Sequence, residues 1–84
     1  MKFIVDYDKQ PKRFLKKLDQ HIVKRLMDKI DTLGNNPIPS DAKVIVGKHG
    51  IFRIRIGDFR VLYRVNYSNN KVVVVKIDKR ARIY

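Results

Sequence analysis

The chain has 84 residues, enough for one small domain spanning 1–84 whose thin core helices can complete by covering a sheet. Its formal net charge is +12, from 20 Lys and Arg against 8 acids, and every acid is Asp. The lack of cysteine excludes a disulfide framework and thiolate metal sites, and His21 and His49 alone do not suggest a zinc cage, so neither metal nor cofactor is expected.

No apolar run reaches the roughly 20 residues that span a bilayer, and residues 1–6 become charged too early for a signal peptide. A soluble, cytoplasmic protein without membrane contact is expected. Charge is spread unevenly, with residues 1–42 at net +3 and residues 43–84 at net +9. A solubilising surface does not need its cations gathered into one half. The asymmetry points to a polyanionic partner, most simply nucleic acid.

Residues 2–7 read as a short strand. Asp8 can cap a helix, and Pro11 is tolerated in a first turn. Phe14, Leu15 and Leu18 recur at helical spacing, and Asp19 is a second cap position that splits the region into a helical hairpin. Val23, Leu26, Met27, Ile30 and Leu33 then form one apolar stripe with charged residues between them. Gly34 reads as the stop, reinforced by Pro37 and Pro39. Residues 35–42 form a polar loop, and residues 43–46 read as a short strand.

The stretch 50–65 alternates arginine with bulky apolar residues on both sides of Gly57-Asp58. A two-residue hairpin loop there sets the register. Ile56 faces Phe59, Arg55 faces Arg60, Ile54 faces Val61, Arg53 faces Leu62 and Phe52 faces Tyr63. One face then carries Phe52, Ile54, Ile56, Phe59, Val61, Tyr63 and Val65 for the helices to cover. The other carries Arg53, Arg55, Arg60 and Arg64. A second turn at residues 68–70 leads to residues 72–77, whose four consecutive valines indicate an interior strand. The expected fold is α+β: an N-terminal strand and helical hairpin packed on a mainly antiparallel, twisted sheet of about four strands.

Arg55 directly opposite Arg60 is the informative pair, because like charges across a strand pair destabilise a sheet. The nearest acid in sequence is Asp58, in the turn. The arrangement makes sense if an anion normally sits there, and guanidinium groups grip phosphate with two parallel bonds. Lys48, Arg64, Lys79 and Arg82 join as phosphate-binding candidates. Continuing the alternation through the second hairpin puts Leu62, Val73, Val75 and Ile77 on the arginine face, where either the sheet curls over them or a partner segment docks. Tyr84 offers a ring that could stack on a base.

Phosphodiester cleavage needs a nucleophile, stabilisation of charge on the phosphoryl oxygens, and proton transfer. In RNA the 2′-OH supplies the nucleophile. The sequence offers charge stabilisation in abundance but neither a carboxylate pair nor a Ser-His-Asp or Cys-His arrangement. His49 reads as a loop histidine just before the hairpin.

Residues 50–65, the valine strand and the terminal run 79–84 resemble the RelE/ParE superfamily of toxin–antitoxin toxins, and the likeness covers essentially the whole chain. It implies two helices on an antiparallel-rich sheet and neutralisation by a cognate antitoxin, a small acidic RelB-like protein. In the RelE branch it implies metal-independent cleavage of mRNA in the ribosomal A site, by 2′-OH attack on the adjacent phosphate. By resemblance, Arg53, Arg55 and Arg60 would bind and stabilise phosphate, Arg80 would stabilise the leaving group or transition state, and Tyr84 would stack on a base. Arginines stand at 53 and 55 where RelE toxins carry lysines, and an arginine stays protonated. A ParE-like gyrase inhibitor and a catalytically weak nucleic-acid-binding homologue are the alternatives.

Overall fold

The computed structural model describes residues 2–45, 47 and 50–79. Lys48, His49, Arg80, Arg82 and Tyr84, all named from the sequence, lie outside the described residues, as does Val46 at the end of the expected short strand.

The elements run β1 (Ile4–Tyr7), α1 (Lys9–Lys16), α2 (Gln20–Asp31), a 3-10 turn (Thr32–Gly34), β2 (Lys43–Val44), β3 (Ile51–Ile56), β4 (Phe59–Asn66) and β5 (Lys71–Lys79). They form an α+β fold whose sheet has the order β1-β5-β4-β3-β2. The sheet has five strands rather than about four, because β1 joins it instead of standing apart. β1 runs parallel to β5, from Ile4 opposite Lys71 to Tyr7 opposite Val74, and the other pairings are antiparallel. The valine strand is interior, flanked by β1 and β4.

Asp8 and Asp19 occupy the N-cap positions of the two helices, although neither side chain makes a capping hydrogen bond. With no bonded cap and eight residues, α1 is too short to persist on its own. Packing holds it: the Phe14 ring meets Phe59 edge-on at 6.0 Å. Gln10 supplies a further hold through two hydrogen bonds to the backbone of Ile77.

Leu26, Ile30 and Leu33 lie buried against Ile54, Ile56, Phe59, Val61, Tyr63, Val72, Val74 and Ile77. Phe52 and Val65 pack at the margin of this core. The helix-covered face of the hairpin is the one expected from alternation. Gly57 has φ of +59°, and a Cβ there would come 2.6 Å from Nη2 of Arg25 on α2. The turn thus needs glycine for its left-handed backbone and for the room it leaves the guanidinium.

Gly34 terminates the helical region for a different reason from the one expected. Its φ is not among the positive values. A Cβ at Gly34 would meet the carbonyl oxygen of Phe3 at 2.9 Å, and the Phe3 N–H donates to the Gly34 carbonyl at 2.7 Å. Close approach of the β1 entry, not a left-handed C-terminal cap, selects glycine here.

The second hairpin departs from simple alternation. Leu62 pairs with Lys76, but Tyr63 pairs with Val74, so Val75 is an extra residue in a β-bulge. Uninterrupted alternation from Val72 and Val74 would drive Lys76 and Asp78 under the helices, where unpaired charges are costly. The bulge instead buries Ile77, which is 0% exposed, and turns Lys76 outward. This corrects two sequence expectations. Ile77 belongs to the core rather than to the arginine face, and Lys79 pairs with Phe59 and so shares the helix side of the sheet.

Candidate nucleic-acid interface

The uncovered face of the sheet can be built row by row, because residues paired across strands share a face. One row runs Lys43, Arg53, Leu62, Lys76 across β2, β3, β4 and β5. The next runs Arg55, Arg60, Asp78. A third runs Ile51, Arg64, Val73, Asp6, reaching β1. The register of β3 and β4 is the one that the Gly57-Asp58 loop dictates, with Arg55 opposite Arg60.

The cations differ in setting. Arg55 and Arg64 are exposed, Arg53 is half-buried and Arg60 is only 9% exposed. Arg60 has Arg55 on one side and Asp78 on the other. Asp78, not the exposed turn residue Asp58, is therefore the carboxylate of this row. Its Oδ1 also accepts the Lys79 N–H at 2.7 Å. On the outermost row, Lys71 reaches Asp6 at 3.4 Å.

An open cleft of about 370 Å³ lies over β2 and β3, lined by Asp41, Lys43, Arg53 and Arg55. The loop that carries Asp41 is tied down at two points. The Tyr63 hydroxyl donates to the Pro37 carbonyl at 2.7 Å, and Lys29 on α2 meets Asp41 at 3.5 Å. Burial pushes the Tyr63 hydroxyl well above the ordinary tyrosine range, with Asp41 and then Tyr67 adding to the shift. Tyr63 is thus held as a neutral donor, anchoring the loop from inside the core.

Of the residues named from the sequence, Arg53, Arg55, Arg60 and Arg64 come together on one face. Leu62 and Val73 share that face, half-buried, and Val75 sits at the bulge. Ile51, buried on this face beside Arg64, takes the apolar place assigned to Ile77. Sequence reasoning missed Lys43, Lys76, Asp41 and Asp78. Lys43 was within reach, since residues 43–46 read as a strand that needed only a register against β3. Lys76 and Asp78 required the bulge. Asp41 required the loop anchors, which no local pattern announces.

Among the described residues, no group of three or more His, Cys, Asp or Glu is placed to hold a metal ion. No helix of the described residues is long and apolar enough to cross a membrane. The face is suited to binding a polyanion: it offers guanidinium forks at fixed spacing beside an open cleft.

Known proteins resemble this chain in sequence and fold. Residues 3–84 match the family described as ParE toxin of type II toxin-antitoxin system, parDE. The chain is 37% identical over 87 residues to the protein named "Putative toxin RelE1" of Methanocaldococcus jannaschii, covering all of this chain and 97% of that one. It superposes on a chain of the archaeal RelE-RelB complex from Pyrococcus horikoshii with a TM-score of 0.83 at 29% identity, covering 98% of this chain and 99% of that chain. A chain of the RelBE2 toxin-antitoxin complex from Mycobacterium tuberculosis gives a TM-score of 0.81 at 25% identity, over 95% of this chain and 100% of that one. With a family match over nearly its whole length and a relative 37% identical across all of it, the chain belongs to the RelE/ParE family of type II toxin–antitoxin toxins.

Proposed function

We infer that this toxin is a ribosome-dependent endoribonuclease that cleaves mRNA in the A site and so arrests translation in the cytoplasm. The observation that carries the reading is Arg55 directly opposite Arg60 on an uncovered sheet face, with Arg53 one row away. Three guanidinium groups so placed can hold a scissile phosphate and neutralise the charge that grows on its oxygens.

In the reaction, the 2′-oxygen attacks the adjacent phosphorus and the bond from phosphorus to the 5′-oxygen breaks. The products are a 2′,3′-cyclic phosphate and a 5′-hydroxyl. One proton leaves the 2′-OH and one is delivered to the 5′-oxygen, so no metal or external nucleophile enters the balance. Arg53, Arg55 and Arg60 orient the phosphate and stabilise its transition state. Arg80 acts on the leaving group, Tyr84 stacks on a base, and Arg64, Lys48 and Arg82 contact flanking phosphates. Arginine is a poor base, so the arginine face contributes positioning and electrostatics rather than proton abstraction.

The proposed partners are the ribosome with its mRNA and a cognate antitoxin, a small acidic RelB-like protein. The half-buried patch of Leu62, Val73 and Val75 is the proposed docking place for an antitoxin segment.

The test is primer extension on translating ribosomes. Wild type should give discrete cuts at codons, and Arg55→Ala and Arg60→Ala should abolish the cuts and relieve growth arrest. Arg60→Lys serves as the folding control for the buried position. Toxicity undiminished in both alanine variants would overturn the assignment. A second reading, gyrase inhibition without cleavage, draws on the ParE description of the matched family. Stalled gyrase with uncut mRNA would select it.

A further inference from the structure

Helix α1 carries a second cationic surface that the functional reading does not use. On a helical wheel of about 100° per residue, Lys9, Lys12, Arg13, Lys16 and the cap residue Lys17 fall within an arc of about 140°. Gln10, Pro11, Phe14 and Leu15 occupy the rest of the wheel and face the core or its margin. All five cations are exposed, and no acid stands among residues 9–17.

Helix α2 provides the contrast. Its Lys24 meets Asp28 at 3.0 Å and its Lys29 meets Asp41 at 3.5 Å. Among the described residues, none of the five cations of α1 is in an ion pair. Like charges three and four apart weaken a helix, and Lys9 opposes the dipole at the N-terminus. A short helix that depends on packing thus carries an electrostatic load with no internal counter-charge.

We propose that this α1 ridge binds the phosphate backbone of a folded RNA, on the side of the molecule opposite the arginine face. α1 packs on the helix-covered face of the sheet, through Phe14 to Phe59 and Gln10 to Ile77. The ridge and the arginine face are therefore back to back, and one extended strand cannot lie along both. A cavity walled by RNA can touch both at once. The ridge itself is made of cations, with apolar Leu15, Leu18 and Val23 only in a cleft at its Lys16 end, and lysine is depleted from the centres of protein interfaces. A polyphosphate needs cations alone.

The inference rests on the ribosomal reading, and the experiment separates the two. The variant Lys12→Gln/Arg13→Gln/Lys16→Gln is compared with wild type and with the charge-conserving Lys12→Arg/Arg13→Lys/Lys16→Arg. Binding to purified ribosomes is measured across a salt series, with single-turnover cleavage at saturating toxin. The glutamine variant should lower the magnitude of the log–log salt slope by about 2, from roughly 0.7–0.9 per lost contact, and weaken binding about a hundredfold at 0.1 M salt. Saturated cleavage should be unchanged, and the charge-conserving variant should match wild type. A salt slope and affinity equal to wild type, while Arg55→Ala still abolishes cleavage, would overturn the ridge and leave the functional reading standing. Wild type that fails to bind ribosomes would overturn both. Loss of affinity for an acidic antitoxin alone would reassign the ridge to that partner.

Discussion

Gln10 closes a gap that the sheet leaves open. β1 accompanies β5 only as far as Val74, whose carbonyl accepts from Asp8 N–H at 2.9 Å. Beyond that point the N–H and C=O of Ile77 have no neighbouring strand on the β1 side. The Gln10 amide stands in for one: Ile77 N–H donates to Oε1 at 2.9 Å, and Nε2 donates to the Ile77 carbonyl at 2.8 Å. Replacing Gln10 with Leu keeps the bulk and removes both bonds. At about 0.5–1.5 kcal/mol each, the expected loss is about 2 kcal/mol. A domain of this length has only about 4–13 kcal/mol in total, so Tm should fall by roughly 8–16 °C.

Chemical denaturation and hydrogen exchange at the Ile77 amide measure this directly. The protection of Ile77 should drop more than that of Val72, which β1 still covers. Gln10→Glu gives a sharper check. A carboxylate accepts from the N–H but cannot donate to the carbonyl, whereas the protonated acid does both. Its folded-state pKa should rise above the ordinary value of about 4.3, so its stability is present below that pH and lost as pH rises through the folded value. An unchanged denaturation midpoint and unchanged Ile77 exchange in Gln10→Leu would refute the reasoning.

Three other perturbations follow from packing and charge. Gly34→Ala should cost about 1–3 kcal/mol in a denaturation experiment, since its Cβ would sit 2.9 Å from a backbone oxygen that is itself held by a hydrogen bond. Asp78→Asn removes the carboxylate beside Arg60 and should destabilise the sheet by about 0.2–1 kcal/mol at low salt. The difference should shrink in high salt, and RNA binding should tighten. Burial, with Asp31 adding, pushes the Tyr7 hydroxyl from 10.0 up to about 12. The unfolded chain ionises first, so the stability Tyr7 confers is whole below pH 10 and lost as pH rises toward 12. Tyr7→Phe should therefore lose less stability than wild type across that interval in a pH series of denaturation curves.

The hairpin was legible because two kinds of information agreed. Gly57-Asp58 fixed the loop length, and strict alternation on both sides assigned every residue of β3 and β4 to a face. The α2 stripe was legible for the same reason, with one period sustained over three turns. Gly34 was assigned the right boundary for the wrong cause, since glycine's backbone freedom and its lack of a side chain look identical in sequence. β1 in the sheet could not be read, because parallel pairing to a strand some 65 residues away leaves no local mark. Lys43 was missed because a two-residue edge strand has too little pattern to fix a register.

The β-bulge is where local pattern and three-dimensional need part, and it decides the character of the site. Reading residues 72–79 with unbroken alternation offers two bad choices. Either Val72 and Val74 face the core and carry Lys76 and Asp78 in with them, or Ile77 faces the core and Val72 and Val74 are left on the open face. One extra residue at Val75 resolves both, at the cost of one irregular pairing. It also brings Asp78 across from Arg60, so the central row reads Arg55, Arg60, Asp78 and carries a single net positive charge. A free protein can keep Arg60 almost fully buried beside one carboxylate far more readily than beside another arginine alone. The same bulge that sets Asp78 across from Arg60 therefore leaves the row with one excess positive charge, which a single phosphodiester would balance under the proposed function.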